Sequence, residues 1–211
     1  YRFFGTAEMA HALGWMRQHR GDRVAALARQ RLDAGERVFT GAYIISNNGI
    51  AAPKEDVVAK FLGGLWNAAE RVVAVLTETR SWERACAVLR QVEGFGGSGF
   101  MAKEVLQDYL LCRPKAARDA LTWTPVGPGA RRGLNRVFGR DVERQRPETV
   151  FYAEVVALRA AVQPMWRKAF PRGGALSAHD IQFCLCEFDK LERVRNGEGK
   201  PRSLYRPRGE S

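Results

Sequence analysis

Two glycine-rich segments of this chain have the composition of loops that bind phosphate groups. Residues 93–100 contain four glycines, and residues 126–136 combine three glycines with three arginines. Each segment precedes an amphipathic helical pattern. Glycines at a helix start let another backbone approach, and the free N–H groups there attract anions. The pattern therefore favours binding to the phosphate backbone of a nucleic acid. The alternative is that both segments are ordinary loops that connect helices.

The overall composition favours the same kind of partner. The 211 residues are 45% hydrophobic, enough for one large domain or two intimately packed ones, and they carry a net charge of +11. That charge predicts attraction to polyanions, with nucleic acid the first candidate and an anionic membrane surface the second. No apolar run approaches the roughly 20 residues of a membrane span, and no signal-peptide pattern stands at the N-terminus. The four cysteines lack the spacing of a zinc site, so we expect no bound metal. Their number and placement suit a reducing compartment.

Hydrophobic residues recur at helical spacing through most of the chain, which predicts a mainly α fold. Residues 38–45 are the exception, since they could form a short strand or a buried helix. Gly63 and Gly64 could divide one long helix, and Pro164 is expected to break another. The predicted helices cover residues 6–19, 22–34, 54–79, 81–92, 100–111, 129–138, 147–169 and 178–195.

These helices are expected to form one domain. It covers residues 1–195, and a basic tail follows over residues 196–211. The composition of the tail is typical of a disordered extension, but Leu204 and Tyr205 give it side chains through which it could dock. Both arrangements stay open at this point.

The segment from 81 to 111 resembles the helix-hairpin-helix motif, in which the turn presents backbone N–H groups to a DNA phosphate. In the DNA glycosylases of that superfamily a loop and a helix follow, with a pattern similar to residues 123–139 here. The matching positions are Val126, Arg132, Asn135 and Arg136. The resemblance implies a helix-hairpin-helix DNA glycosylase-like helical domain. The aspartate that excises bases would fall at Gly127, and the lysine of the lyase branch at Phe100, so excision by the usual carboxylate is not implied.

Three longer segments resemble a bacteriophage thymidine-hypermodification family. They are residues 99–108, 123–135 and 185–193, and a looser similarity covers residues 39–47. The family includes the helical domain of 5-hydroxymethyluracil DNA kinases, the α-glutamyl/putrescinyl-thymine pyrophosphorylases and the amino acid:DNA transferases. Because no P-loop precedes these segments, the two-domain kinase is not the expected member.

The reaction that this resemblance implies takes place on double-stranded DNA carrying phosphorylated or pyrophosphorylated 5-hydroxymethyluracil. A small amine, such as glycine, another amino acid or a polyamine, displaces the (pyro)phosphate at the 5-methylene. The base must leave the stack, the leaving group needs cationic partners, and the amine needs a general base. The resemblance implies a phage transferase in the cytoplasm of the bacterial host, and we expect it to be a monomer.

Carboxylates on two helices are the candidates for catalysis that the resemblance suggests. Glu104 and Asp108 stand four residues apart on a face shared with apolar residues, so at least one should point inward. The alternative is a solvated acidic face. Glu187, Asp189 and Lys190 lie in the last predicted helix, where a salt-bridged surface is the alternative. The amine co-substrate is the one small molecule that the reaction requires, although phosphate chemistry could recruit Mg²⁺ through Asp and Glu.

The remaining motif residues are assigned to substrate and DNA. Tyr43, Asn47 and Arg193 are assigned to the substrate; Asn47 would read a base edge, and an ordinary Asn-Asn-Gly turn is its alternative. Two other functions stay open, a repair-like glycosylase that uses Glu104 or Asp108, and a DNA-binding module without catalysis. The residues assigned to DNA are Gly96, Gly97, Gly99, Gly127, Gly129, Arg131, Arg132, Asn135, Arg136, Lys200 and Arg202.

Overall fold

The computed structural model describes residues 1–41 and 45–200, and all regular secondary structure within them is helical. The mainly α fold class is therefore confirmed. No helix in this part of the chain is long and apolar enough to cross a membrane. Its eight helices are α1 (Ala7–Leu13), α2 (Gly21–Asp33), α3 (Lys54–Thr79), α4 (Trp82–Leu89), α5 (Phe100–Cys112), α6 (Pro128–Val137), α7 (Glu148–Ala169) and α8 (Ala178–Arg195).

Contacts between residues divide the chain into two compact units, Tyr1–Ala120 and Leu121–Ser211. The first unit contains α1 to α5, and the second contains α6 to α8. The single domain expected over residues 1–195 stays a prediction.

In the first unit, the long helix α3 is the centre of the packing. Helices α2 and α4 pack against it, α1 packs against α2, and α5 packs against α4. Large buried side chains such as Val24, Phe61 and Trp82 fill the space between them, and each stabilises the fold by about 1.5–3 kcal/mol. Phe95, from the loop between α4 and α5, packs edge-to-face on Phe3 with ring centroids 5.8 Å apart. The glycine-rich loop is thereby anchored to the core.

The two glycines inside α3 do not divide it, because the helix runs unbroken from Lys54 to Thr79. A Cβ atom on Gly63 would lie 2.9 Å from Nε2 of His19, and one on Gly64 would lie 2.8 Å from Cγ1 of Val92. Neighbouring side chains lie directly against the helix at both positions. The glycine pair therefore marks close packing, and the predicted joint is wrong.

Two further predictions in this unit differ from the structure. Helix α1 ends at Leu13, well before the predicted end, because Gly14 adopts a positive φ of 64° and leaves the helix. Of residues 38–45, those at 38–41 and 45 form neither a strand nor a helix, and 42–44 lie outside the described residues. The N–H of Thr40 donates to the carbonyl of Phe4 at 2.9 Å, which ties this segment to the start of the chain.

In the second unit, α6, α7 and α8 pack on one another. Ser177 caps α8 as predicted: its side chain accepts from the N–H of Asp180, whose carboxylate accepts from the N–H of Ser177, a capping box. Pro164 lies inside α7, which continues to Ala169, so the expected break is absent. The core consists of Val126, Ala130, Leu134, Phe151, Val155, Ala178, Ile181 and Leu185.

Candidate functional site

Asp189 of α8 is a buried carboxylate that joins two helices. Its side chain is 1% exposed, and its oxygens accept from Nε of Arg132 at 2.9 Å and from Nε of Arg136 at 3.0 Å. A buried charge is stable only when it is paired and hydrogen-bonded. Asp189 therefore holds the two α6 arginines in place, and the catalytic role expected from the sequence stays a prediction.

The close approach of α6 and α8 depends on two glycines. A Cβ atom on Gly133 would lie 2.9 Å from the carbonyl carbon of Leu185 and closer still to its oxygen. One on Gly129 would lie 3.0 Å from Sγ of Cys186. Both glycines therefore lie against α8, and a DNA contact at Gly129 stays a prediction. The four-residue spacing of the glycines, which puts both on one helical face, is the sequence signal for this packing.

Beside this junction lies a pocket of about 340 Å³. The side chain of Arg136 in its wall is only 8% exposed. Hydrogen bonds to Glu198 and to Asp189 raise the pKa of Arg136 further above its ordinary value, so this guanidinium stays cationic wherever the protein is folded. The residues lining the pocket are Arg132, Arg136, Val142, Glu143, Arg193 and Glu198.

One wall of the pocket is a loop held by Asn135. The amide of Asn135 donates to the carbonyl of Val142 at 2.9 Å and to that of Arg144 at 3.0 Å, and the residue is buried. Asn135 therefore shapes the wall of the pocket, and the DNA contact expected for it stays a prediction.

Glu154 of α7 fixes the same loop and was not among the residues predicted from the sequence. Its carboxylate accepts from Arg140 at 2.7 and 2.8 Å and from Arg146 at 3.1 Å. The hydrogen bonds from Arg140 lower the pKa of Glu154 below its ordinary value, although burial acts in the opposite direction. No helical spacing relates Glu154 to these arginines, so the sequence carries no local signal for the contact.

The other residues assigned to DNA in this unit lie in different environments. Gly127 is buried at the N-cap of α6. Nε of Arg131 donates to the carbonyl of Val126 at 2.7 Å, so this arginine also stabilises the start of α6. Lys200 is exposed, and Arg202 lies outside the described residues.

Glu187 and Lys190 form an ion pair on the surface of α8. Nζ of Lys190 lies 2.7 Å from Oε1 of Glu187, and the side chains are 62% and 46% exposed respectively. This is the salt-bridged surface given above as the alternative to a catalytic role. Exposed ion pairs of this kind contribute about 0–1 kcal/mol to the free energy of unfolding. Of the α8 residues expected at the site, Arg193 lines the pocket, and Asp189 holds two arginines of its wall from the buried side.

In the first unit, Glu104 and Asp108 belong to a charge network with Arg2. Arg2 donates to Glu104 at 2.6 Å and to the two oxygens of Asp108 at 2.8 and 2.9 Å. Nζ of the buried Lys103 lies 2.7 Å from Glu104. The inward orientation expected for at least one carboxylate is confirmed for Glu104, which is buried. Both carboxylates are held by cations in this arrangement.

The loop between α4 and α5 leaves Gly96 and Gly97 exposed. Gly97 and Gly99 have φ of +62° and +75°, a region that favours glycine, and Gly99 is the N-cap of α5. Arg90 closes the loop by donating to the carbonyl of Gly97 at 2.6 Å. The tip of the loop is therefore shaped by glycine and accessible, and its contact with DNA stays a prediction.

Asn47 begins a tight turn. Its carbonyl accepts from the N–H of Ile50 at 2.9 Å, and Asn48 and Gly49 have φ of +52° and +77°. This is the Asn-Asn-Gly turn left open by the sequence, and a base contact by the Asn47 side chain stays a prediction. Tyr43, the other substrate residue expected in this segment, lies outside the described residues.

Metal ligands do not cluster in the described part of the chain. Over residues 1–41 and 45–200, no group of three or more His, Cys, Asp or Glu side chains could hold a metal ion. Recruitment of Mg²⁺ together with a phosphate ligand stays a prediction.

Comparison with known proteins identifies the family to which this chain is similar. Residues 6–201 match the family described as 5-hmdU DNA kinase, helical domain. A curated relative, the 5-hmdU DNA kinase of Bacillus phage SP10, is 26% identical over 155 residues, which are 65% of this chain and 24% of the relative. The chain thus spans about a quarter of the length of that relative. No solved structure matches it significantly.

Proposed function

Since the chain belongs to the family of the helical domain of 5-hmdU DNA kinases, we propose that it acts on DNA in thymidine hypermodification. In detail, it transfers a small amine onto the 5-methylene of phosphorylated or pyrophosphorylated 5-hydroxymethyluracil. The observation that carries this proposal is the arginine pocket of the second unit, where Asp189 holds Arg132 and Arg136 beside an open cavity.

The proposed reaction is a substitution at the exocyclic methylene carbon. The amine nitrogen forms a bond to this carbon, the carbon–oxygen bond to the (pyro)phosphate breaks, and the leaving group departs with the electron pair. Cations beside the leaving group accelerate this step, because they stabilise negative charge as it develops. Arg132 and Arg136 suit the task, since a guanidinium binds phosphate as a planar fork and Asp189 already fixes both side chains.

The nitrogen must also lose a proton, and Glu143 is the pocket residue best placed to accept it. Glu143 lines the pocket, and no ion pair engages its carboxylate among the described residues. The carboxylates suggested by the sequence have cationic partners: Glu187 is paired on the surface, and Arg2 holds Glu104 and Asp108. We therefore assign the general base to Glu143.

Double-stranded DNA is the proposed partner of the first unit. Helices α4 and α5 and the loop between them form a helix, glycine-rich turn and helix, which we assign as the helix-hairpin-helix element of a glycosylase-like domain. Support comes from the exposed Gly96 and Gly97 at the loop tip and from the net charge of +11. Backbone N–H groups at such a tip bind phosphates irrespective of base sequence.

The test uses duplex DNA whose 5-hydroxymethyluracil carries a phosphate or a pyrophosphate, incubated with the chain and a panel of amino acids and polyamines. Mass spectrometry of the digested nucleosides should show an adduct with at least one amine. Arg136→Ala should abolish it, and Glu143→Gln should slow its formation by about 10²–10⁴-fold. Glu192→Gln is the matched control, because Glu192 pairs with Arg195 near the end of α8. A folded protein that forms no adduct with any amine rejects the transfer reaction.

A second candidate is a DNA-binding module that presents the modified base to a separate kinase domain. The extent of the match favours it, because the family is described as the helical domain of a kinase and the chain covers 24% of the phage relative. In that case the chain binds duplex DNA containing 5-hydroxymethyluracil and leaves the nucleoside masses unchanged. Arg136→Ala then lowers binding alone, which the same mass spectra and a binding titration distinguish from transfer.

A further inference from the structure

In the pocket of the second unit, the carboxylate of Glu198 is already bound to Arg136. Oε1 of Glu198 accepts from one terminal nitrogen of Arg136 at 3.2 Å, and Oε2 contacts the other terminal nitrogen. This two-pronged arrangement is the one that a guanidinium adopts with a phosphate group. The carboxylate of Glu198 thus occupies the position in which a phosphoryl group would bind Arg136.

The guanidinium of Arg136 is held in a fixed position. Nε of Arg136 is bound to Asp189, which also holds Arg132, and the Arg136 side chain is 8% exposed. The two terminal nitrogens therefore keep their direction whether or not Glu198 is present. A site whose donors are fixed in advance loses little conformational entropy when it binds a ligand.

The position of Glu198 is set by the backbone at the end of α8. Gly197 has φ of +70°, its N–H donates to the carbonyl of Val194 at 3.2 Å, and the N–H of Glu198 donates to the carbonyl of Arg193 at 2.8 Å. These bonds form a Schellman motif, which sets the direction of the chain after a helix. The Glu198 side chain itself is 42% exposed. Rotation of this side chain is sufficient to release Arg136.

The carboxylate of Glu198 balances the charge of the pocket. With Glu198 in place, the arginines Arg132, Arg136 and Arg193 are matched by the carboxylates of Asp189, Glu143 and Glu198. Removal of Glu198 leaves one uncompensated positive charge at a largely desolvated guanidinium, which favours a replacement anion.

From these contacts we infer that the pocket is a binding site for a phosphate monoester or pyrophosphate, and that Glu198 is an internal competitor for it. The inference deepens the proposed function, because the same chemistry describes the leaving group on the modified base. A phosphodiester of the DNA backbone, which also presents anionic oxygens to a guanidinium, is the alternative occupant of the pocket. In both cases Glu198 must leave Arg136 before the ligand binds.

The test is calorimetric titration of the intact chain with inorganic pyrophosphate in the presence of EDTA. Glu198→Gln should bind pyrophosphate about fivefold more tightly than the wild type, the factor expected for loss of a partly exposed ion pair that competes with the ligand. Glu192→Gln, which removes the same charge from the last turns of α8, where Glu192 pairs with Arg195, should bind like the wild type. Arg136→Lys, which keeps the charge but loses the fork, should bind about tenfold more weakly.

Equal or weaker binding by Glu198→Gln overturns the inference, as does the absence of pyrophosphate binding by every variant. If Arg136→Lys does not fold, the comparison of Glu198→Gln with Glu192→Gln still decides the matter. Titration with unmodified duplex DNA separates the two sources of ligand, because a backbone site predicts the same gain there and a leaving-group site predicts none. Since pyrophosphate binding requires no amine transfer, failure of the transfer assay leaves this result standing.

Discussion

Gly133 of α6 lies against the peptide group of Leu185 in α8, so closely that a methyl group at position 133 would be 2.9 Å from the carbonyl carbon of Leu185. This contact sets the distance between the two helices whose side chains build the arginine pocket. The arginines of α6 reach Asp189 because no side chain separates the backbones at this point.

Gly133→Ala should therefore destabilise the second unit. The added methyl group meets backbone atoms that cannot rotate away, and overpacking of this kind costs about 1–3 kcal/mol. Urea denaturation followed by circular dichroism measures the change. Gly174→Ala is the control, because a Cβ atom at Gly174 meets nothing within 4 Å. Equal midpoints for the two variants would show that the helices can separate without cost.

Asp189→Asn should lower stability much more than Glu187→Gln, although both remove one carboxylate from α8. Asp189 is 1% exposed and balances two arginines, and loss of one partner from a buried pair costs about 3–5 kcal/mol. Glu187 is half exposed, and its pair is worth about 1 kcal/mol at most. Free energies of unfolding from denaturant titration test the difference, and similar losses for both variants would contradict the positioning role of Asp189.

Binding to duplex DNA should weaken steeply as salt increases. Each phosphate contact contributes about 0.9 to the slope of log affinity against log salt concentration. If the pocket takes a backbone phosphate, Arg132→Ala should lower the affinity to a similar extent on unrelated sequences and reduce the slope by about one contact, whereas a pocket that takes only the leaving group predicts no change on unmodified duplexes. Asp189 keeps its contact with Arg136 in this variant. Arg195→Ala removes the same charge from an exposed position and serves as the control. An affinity independent of salt would exclude phosphate-dominated binding.

The contribution of Glu154 to stability should depend on pH in the acidic range. Hydrogen bonds from Arg140 lower the pKa of Glu154 in the folded state below its ordinary value of 4.5. The contribution is therefore complete above about pH 4.5 and is lost as the pH falls through the lower folded pKa. Melting temperatures of the wild type and Glu154→Gln, measured from pH 7 down to pH 3, should differ at neutral pH, and the difference should shrink as the pH falls. A difference that stays constant over this range would point to packing instead of charge.

Base excision should be absent. Gly127 stands at the position where the resemblance to glycosylases places the excising aspartate, and it is buried at the N-cap of α6. Duplexes containing uracil or 5-hydroxymethyluracil should show no more alkali-labile sites after incubation than a sample without protein. Strand cleavage above that background would assign excision to another carboxylate, with Glu104 and Asp108 the first to be substituted.

The helices were predictable because the interactions that begin and continue a helix are local. Ser177 and the apolar spacing after it place α8 at Ala178–Arg195, as the structure does, since capping and helical periodicity involve residues within a few positions of each other. The predictions that fail depend on distant neighbours. Gly63 and Gly64 resemble a helix joint in the sequence, but His19 and Val92 lie against them and the helix continues.

The sequence by itself determined the helical class, through apolar spacing, and the family, through shared motifs. Only the tertiary structure decided which of these residues meet. Asp189 lies 57 positions from Arg132, and Glu198 lies 62 positions from Arg136. Such pairs form because two helices approach within the distance that Gly133 permits, and an ion pair depends on distance and burial, which residue spacing does not encode.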